Sequence, residues 1–415
     1  KTGGNFIIQE NFPMAQDKEN LFKEAKSFFQ VFEPKGEIIT GVTVPGGVQI
    51  IGEAFSGNRG KIISVPINKN AFILAQKRKE GDRSLNFYSQ RYDEKIRLSL
   101  NAPERREEQG WAYHMASTLF MLEGTSKKVP GMNIYIDNRV PDLFSAGSME
   151  ALEAGIENIA SRFGDWQLDG VEAAKICAGG EKKFLDRDTH FVKYIPMILG
   201  KKGTVTYFDE STGESENVKA DFKGLVFMVL SSGLKKKHID ARRTKILEEV
   251  AASIEIMNKV GANIESLDQL TMEKFDDYRS KLSLDQRKRC AFFISENDRV
   301  KEAKDALKAG NLNGFLEAIN ESQKNIKNRL EMVTEENEIL IDTIQDTDGI
   351  RAVRMLNMGT DGTVLFAVDR DKRLQAESKI KKTFITRTGI ELSGEVFNLD
   401  VELEEFNIDV SEFKK

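Results

Sequence analysis

A two-domain α+β fold is what this 415-residue sequence predicts. The length is enough for two hydrophobic cores. Short β-rich runs crowd residues 37–100 with few helices between them, which points to a mainly antiparallel N-terminal sheet. Beyond residue 200 a series of helices is interrupted by isolated strands, the alternation of a second α+β unit. The boundary is expected near Gly200-Lys201-Lys202-Gly203. This gives an N-terminal domain of mixed sheet and helices at 1–200 and a C-terminal α+β domain at 201–388, with a last strand near 389–400 returning to the first.

The elements follow in order from periodicity. Leu21, Phe22, Ala25, Phe28 and Phe29 recur at helical spacing and predict a helix over 21–32. Strands are expected at 37–44, 61–67, 71–76, 85–88 and 95–100, with Gly57-Asn58 and Gly81-Asp82 as turns. A long helix is expected over 103–123, a strand over 132–136, and a helix over 149–163 with Ala151, Leu152, Ile156 and Ile159 as its buried stripe. Phe184-Leu185-Asp186-Arg187 reads as a strand. In the second half a buried strand at 225–230 leads into helices at 239–260, 272–281, 296–309, 314–330 and 336–346. Strands at 352–356 and 363–368 enclose a loop, and a helix at 369–388 and a strand at 391–397 complete the pattern.

Composition excludes several classes. A net charge of -5 and pI near 5.7 give no field that attracts nucleic acid or acidic lipid. The basic cluster Lys235-Lys236-Lys237-His238 with Arg242-Arg243 is local and reads as a solvated helix start. No apolar run approaches the length of a membrane span. Cys177 and Cys290 form no disulfide framework and fit a reducing, cytoplasmic setting. His114, His190 and His238 are far apart in sequence, without metal-ligand spacing.

Three motifs carry chemistry. The first is Val44-Pro45-Gly46-Gly47-Val48-Gln49-Ile50-Ile51-Gly52-Glu53-Ala54-Phe55-Ser56-Gly57-Asn58. The second, Val140-Pro141-Asp142-Leu143-Phe144-Ser145-Ala146-Gly147-Ser148, runs into a helix, and a helix N-terminus binds anions. A cap by Ser145 or Ser148, with Met149 opening the helix, accounts for the same residues without a ligand. The third is Arg354-Met355-Leu356-Asn357-Met358-Gly359-Thr360-Asp361-Gly362, whose Asp361-Gly362 pair also suits a tight turn.

Together these resemble the signatures of the galactokinases, in the GHMP kinase superfamily. The first family signature reads Pro-Gly-Arg-Val-Asn-Leu-Ile-Gly-Glu-His-Thr-Asp-Tyr-Asn; this chain keeps Pro45, Gly46, Val48, Ile51, Gly52, Glu53 and Asn58. The arginine has become Gly47, the histidine Ala54 and the sugar-binding aspartate Ser56. In the phosphate loop, Pro-x-Gly-x-Gly-Leu-Ser-Ser-Ser-Ala-Ala, two glycines are replaced by Leu143 and Ser145, and Asp142 and Glu150 add negative charge. Side chains at glycine positions restrict close backbone approach, and carboxylates repel a triphosphate. Further matches are Ser231-Ser232-Gly233, Asp240-Ala241-Arg242-Arg243 and Ser295-Glu296-Asn297-Asp298-Arg299-Val300, with Ile239 at the family's tyrosine and Gln323 at a histidine. The resemblance spans roughly residues 36–400.

The resemblance implies a GHMP kinase-like fold, Mg-ATP as cofactor, a sugar or nucleotide as small-molecule ligand, and an alcohol of a sugar-like acceptor as the phosphorylated group. It nominates Glu53, Asn58 and Gly359 for substrate, Ser145, Gly147 and Ser148 for phosphate, and Ser148 for magnesium. The family's catalytic aspartate lies near a Met-Asp-Gln run before a glycine and a strand ending in Asp-Cys-Arg. Anchoring that run on Gly170 or Gly180 puts Ala173 at its position, with Glu172 or Asp169 as nearby alternatives. Loss of a general base alone leaves a slow enzyme, about 10²- to 10⁴-fold down; loss of the arginine removes charge stabilisation as well. The expectation is a non-catalytic or strongly impaired relative, a pseudokinase with a binding or regulatory role and a protein partner. The alternative is an active ATP-dependent small-molecule kinase with a rebuilt acceptor site. A carboxylate and a basic group converging on 145–148 would favour the enzyme; an apolar, filled cleft would favour the scaffold.

Overall fold

The computed structural model describes residues 15–33, 38–55, 57–103, 110–222, 224–233, 237–359, 362–397 and 401–409. Its strands are β1 (Ile38–Gly52), β2 (Lys61–Lys77), β3 (Ser84–Ser89), β4 (Glu94–Ser99), β5 (Met132–Asn138), β6 (Thr204–Asp209), β7 (Glu214–Lys219), β8 (Leu225–Ser231), β9 (Ile350–Met355), β10 (Thr363–Asp369), β11 (Ser393–Phe397) and β12 (Glu404–Asp409). Its helices are α1 (Ala15–Phe32), α2 (Gly110–Gly124), α3 (Ser148–Gly164), α4 (Gly170–Gly180), α5 (Ile195–Ile198), α6 (Lys237–Lys259), α7 (Met272–Tyr278), α8 (Leu284–Lys308), α9 (Leu312–Asn325), α10 (Glu335–Gln345) and α11 (Arg373–Thr388).

The larger sheet runs β12-β1-β2-β5-β3-β4, with β6 and β7 continuing from the far end of β2. Every pairing in it is antiparallel except β3 with β5, so the sheet is mixed. The smaller sheet, β11-β8-β10-β9, is wholly antiparallel. This is the expected two-domain α+β architecture. Sheet pairing carries Thr204–Lys219 into the larger sheet, beyond the boundary expected at Gly200. The strand at 393–397 joins the smaller sheet, and the one that returns to the larger sheet is β12, against β1.

Local chemistry explains where the elements bend. Pro45 has no N–H to give the ladder, and the β1–β2 register shifts between Pro45 and Gly46. Opposite it, Asn68 and Lys69 are absorbed as a bulge, so the two strands expected at 61–67 and 71–76 are one strand. Ser283 caps α8 in a capping box with Gln286, which starts that helix twelve residues before the expected 296. Phe184-Leu185-Asp186-Arg187 is not a strand. Glu181–Leu185 is a π-helical turn continuing α4, because Phe184 packs edge-on against Phe120 of α2 at 5.4 Å. The unforeseen strand β7 is polar, held by pairing with β6 rather than by apolar alternation.

Candidate ligand cleft

The first motif occupies β1 and the loop after it, and its two ends differ in chemistry. At the far end, Gly52 has φ +97°, and a Cβ there would lie 2.1 Å from the Lys61 carbonyl oxygen, so glycine is required. The chain then turns Glu53 inward. Its Oε1 accepts from Arg354 Nη2 at 2.8 Å, and Arg354 is completely buried. Arg354 Nε donates to Ser322 Oγ at 2.8 Å, and Ser322 donates to Glu296 Oε1 at 2.5 Å. Glu296 also accepts the Gly52 N–H at 3.2 Å. Burial raises the Glu53 pKa above the usual carboxylate range, with Arg354 opposing it. Asn58 is fully buried: it donates to the Glu53 carbonyl at 2.6 Å and accepts from Asn297 at 3.2 Å. Glu53 Oε1 is thus engaged by β9, and the Asn58 side-chain amide by α8 and its own loop, although both residues are nominated for substrate. Ser56 lies outside the described residues.

At the near end, Gly47 donates its N–H to the Ala146 carbonyl at 2.9 Å and joins β1 to the second motif. A Cβ on Gly47, where the resembled family carries arginine, would stand 2.4 Å from Pro196 Cγ. A Cβ on Gly147 would stand 2.0 Å from Met197 Cε. Pro196 and Met197 are buried on α5, whose position both glycines allow. Gly147 itself is the N-cap of α3, at φ +70° and without a side-chain cap bond. The N-cap position falls on Gly147 and on neither serine, correcting that expectation: Ser148 is the first helical residue, buried, with Oγ accepting from Asn138 Nδ2 at 3.0 Å. Phe144 and Ser145 preceding it have positive φ.

The remaining nominated residues are dispersed. Asp169 caps α4, its Oδ1 accepting from the N–H groups of Val171 at 2.9 Å and Glu172 at 3.0 Å. Glu172 is exposed in the first turn. Gly359 ends a 3₁₀ turn after β9, in which buried Met358 has φ +50°. Thr360 and Asp361, half of the expected turn pair, lie outside the described residues, as do Lys235, Lys236 and the side chain of Ile239. The structure brings Glu53 and Asn58 together with Arg354, and Gly147 and Ser148 together with Gly47. Sequence reasoning missed Pro196 and Met197. The signal for them was present: the glycine-then-strand pattern sought at 170–187 is met by Gly200, Gly203 and β6, which puts the segment before it at 191–199.

The same frame is found in known proteins. The chain is 26% identical over 349 residues to a galactokinase of Streptococcus mutans, covering 83% of this chain and 89% of that protein. It is 24% identical over 368 residues to a galactokinase of Staphylococcus saprophyticus, at 88% and 94% coverage. The structure of Lactococcus lactis galactokinase complexed with galactose superposes with a TM-score of 0.85 at 20% identity, covering 93% of this chain and 99% of that one. By sequence the chain is similar to galactokinases over most of its length, and it shares the fold of the galactose-bound enzyme. The structure of Streptococcus pneumoniae phosphomevalonate kinase in complex with phosphomevalonate and AMPPNP superposes at TM-score 0.56 with 11% identity, over 86% of this chain and 99% of that one. No family profile matches the chain. Among the described residues of this galactokinase-like chain, no helix is long and apolar enough to cross a membrane.

Proposed function

We propose that this galactokinase-like chain is non-catalytic as a galactose kinase and keeps the fold for a binding or regulatory role. The observation that carries the reading is the seating of Pro196 and Met197 on Gly47 and Gly147. An apolar turn stands against Gly47, where the resembled enzymes carry an arginine, and against Gly147, in the loop where they bind phosphate. Two further facts support it. Segment 191–199 reads Phe, Val, Lys, Tyr, Ile, Pro, Met, Ile, Leu and has no carboxylate to serve as base. Of the two acids otherwise nominated, Asp169 has its carboxylate occupied as a helix cap, and Glu172 is exposed in the first turn of that helix.

The residues at 145–148 do not fit a magnesium–triphosphate. Met197 closes on Gly147, and the Ser148 hydroxyl is buried and bonded to Asn138. At the sugar side, Glu53 Oε1 is held by the fully buried Arg354, so that oxygen is already engaged by the protein. Calorimetric titration of the chain with Mg-ATP, with and without galactose, tests the proposal. No heat of binding is expected up to millimolar ligand in either case. Saturable Mg-ATP binding, or galactose-dependent turnover, overturns it.

A further inference from the structure

We propose that His114, Glu153 and Glu181 form a site for one divalent cation of the zinc class, with three protein ligands and a fourth position for water. The three come from separate elements. His114 projects from α2, Glu153 from α3, and Glu181 opens the π-helical turn after α4. π-Helical turns inside helices frequently mark functional sites. His114 Nδ1 lies 2.9 Å from Glu153 Oε1 and 2.8 Å from Glu181 Oε1, and the two carboxylates are 0% and 1% exposed. All three ligand atoms fall within 4.8 Å of one another.

Proton counting favours a cation. A ring nitrogen carries at most one hydrogen, and two buried carboxylate oxygens face this one. A single N–H cannot be well aligned to both, so one oxygen is left under-satisfied. In addition, Glu181 Oε2 is buried without a hydrogen-bond partner, an orphan that costs free energy unless something coordinates it. A divalent cation answers both deficits: it accepts the imidazole lone pair and balances two carboxylates.

The donor set selects the metal class. One imidazole nitrogen and two carboxylates suit zinc or manganese rather than a thiolate-seeking ion. Zinc bonds of about 2.0–2.2 Å at tetrahedral angles separate ligand atoms by roughly 3.3 Å. The two separations from His114, 2.9 and 2.8 Å, need to open by only about half an ångström to reach that spacing. The outer contacts are in place. Tyr194 donates its hydroxyl to Glu153 Oε2 and fixes that carboxylate. Arg187 stands at the mouth, Nη1 3.4 Å from His114 Nε2 and Nε 3.5 Å from Glu181 Oε1. A cation here would tie α2, α3 and the π turn together. Its three protein ligands include none of the residues nominated for phosphate, so the site stands or falls independently of nucleotide binding.

The test uses the full chain, stripped with chelator and titrated with zinc sulfate, with metal content read by mass spectrometry. One zinc per chain is expected, with a melting temperature that rises with free zinc. His114→Gln and Glu181→Gln should each weaken binding by at least 10- to 100-fold, whereas His190→Gln, at the separate pair with Glu210, should leave it unchanged. Cobalt(II) loading of the unmodified chain gives a readout that needs no variant: the intense visible absorbance of tetrahedral N/O ligation. Absence of stoichiometric zinc uptake, a featureless cobalt spectrum, or binding indifferent to both substitutions overturns the proposal.

Discussion

The two ends of β1 carry the same signature and have met opposite fates. At Gly52-Glu53 the polar residues survive, and they are bound into a buried network with Arg354, Ser322 and Glu296. At Gly46-Gly47 the polar residue is gone, and Pro196 and Met197 press on the bare backbone. What the comparison teaches is that a retained motif residue marks what the fold depends on. A carboxylate locked to a buried arginine is retained for folding whether or not a ligand ever arrives; an arginine reaching into solvent for a phosphate is not. A surviving glutamate is therefore weak evidence of a working sugar site, and a filled glycine position is strong evidence about a ligand site.

Breaking the polar end should have the largest effect. Arg354→Met leaves Glu53 buried without its cation, while Glu296 keeps Arg299, and should cost about 3–5 kcal/mol, read as a lowered midpoint in urea. If Glu53 were instead an open ligand carboxylate, the same change would leave stability near wild type. Overpacking the apolar end comes next. Gly47→Arg restores the family residue but drives its Cβ into Pro196. The expected loss is about 1–3 kcal/mol, with no gain of Mg-ATP binding. Adding Pro196→Gly should recover part of that loss, a non-additivity that double-mutant analysis measures. A fully additive pair would show that the two residues are not in contact.

Smaller still is Asp169→Ala. As a helix cap it is worth about 1 kcal/mol, visible in thermal unfolding, with no other consequence expected. The gentlest signal is pH dependence. Burial raises the pKa of Glu24, Glu53 and Glu157 in the folded state, in each case as the leading cause. A carboxyl with a raised folded pKa binds its proton more tightly folded than unfolded. Its stabilising contribution is therefore full below the unfolded value near 4.5 and fades as pH rises through the folded pKa. Denaturation midpoints should decline from mildly acidic toward neutral pH, and Glu53→Gln should flatten that slope.

The alternation of β-rich runs and helical stripes was local, so the sequence by itself determined most elements and the α+β class. Met132 to Ile136, Ala151 with Ile156 and Ile159, and Leu225 to Leu230 lie where periodicity put them, because burial on one face is written in side-chain spacing. The collinear motifs carried the resemblance to galactokinases. Polar β7 was illegible, since its stability comes from a partner strand rather than from its own apolar residues. The strand misread at 184–187 is a helical turn because Phe184 found Phe120, a contact between distant residues. The same reason governs the candidate site. Glu53 and Arg354 are 301 positions apart, and only folding shows that they neutralise each other. Gly47 looked like an empty position, and tertiary structure filled it with Pro196. His114 looked isolated among the histidines, and its ligand partners are glutamates brought in on other helices. Spacing along a chain records the face a residue presents; what it meets there is decided by long-range packing, which no local pattern encodes.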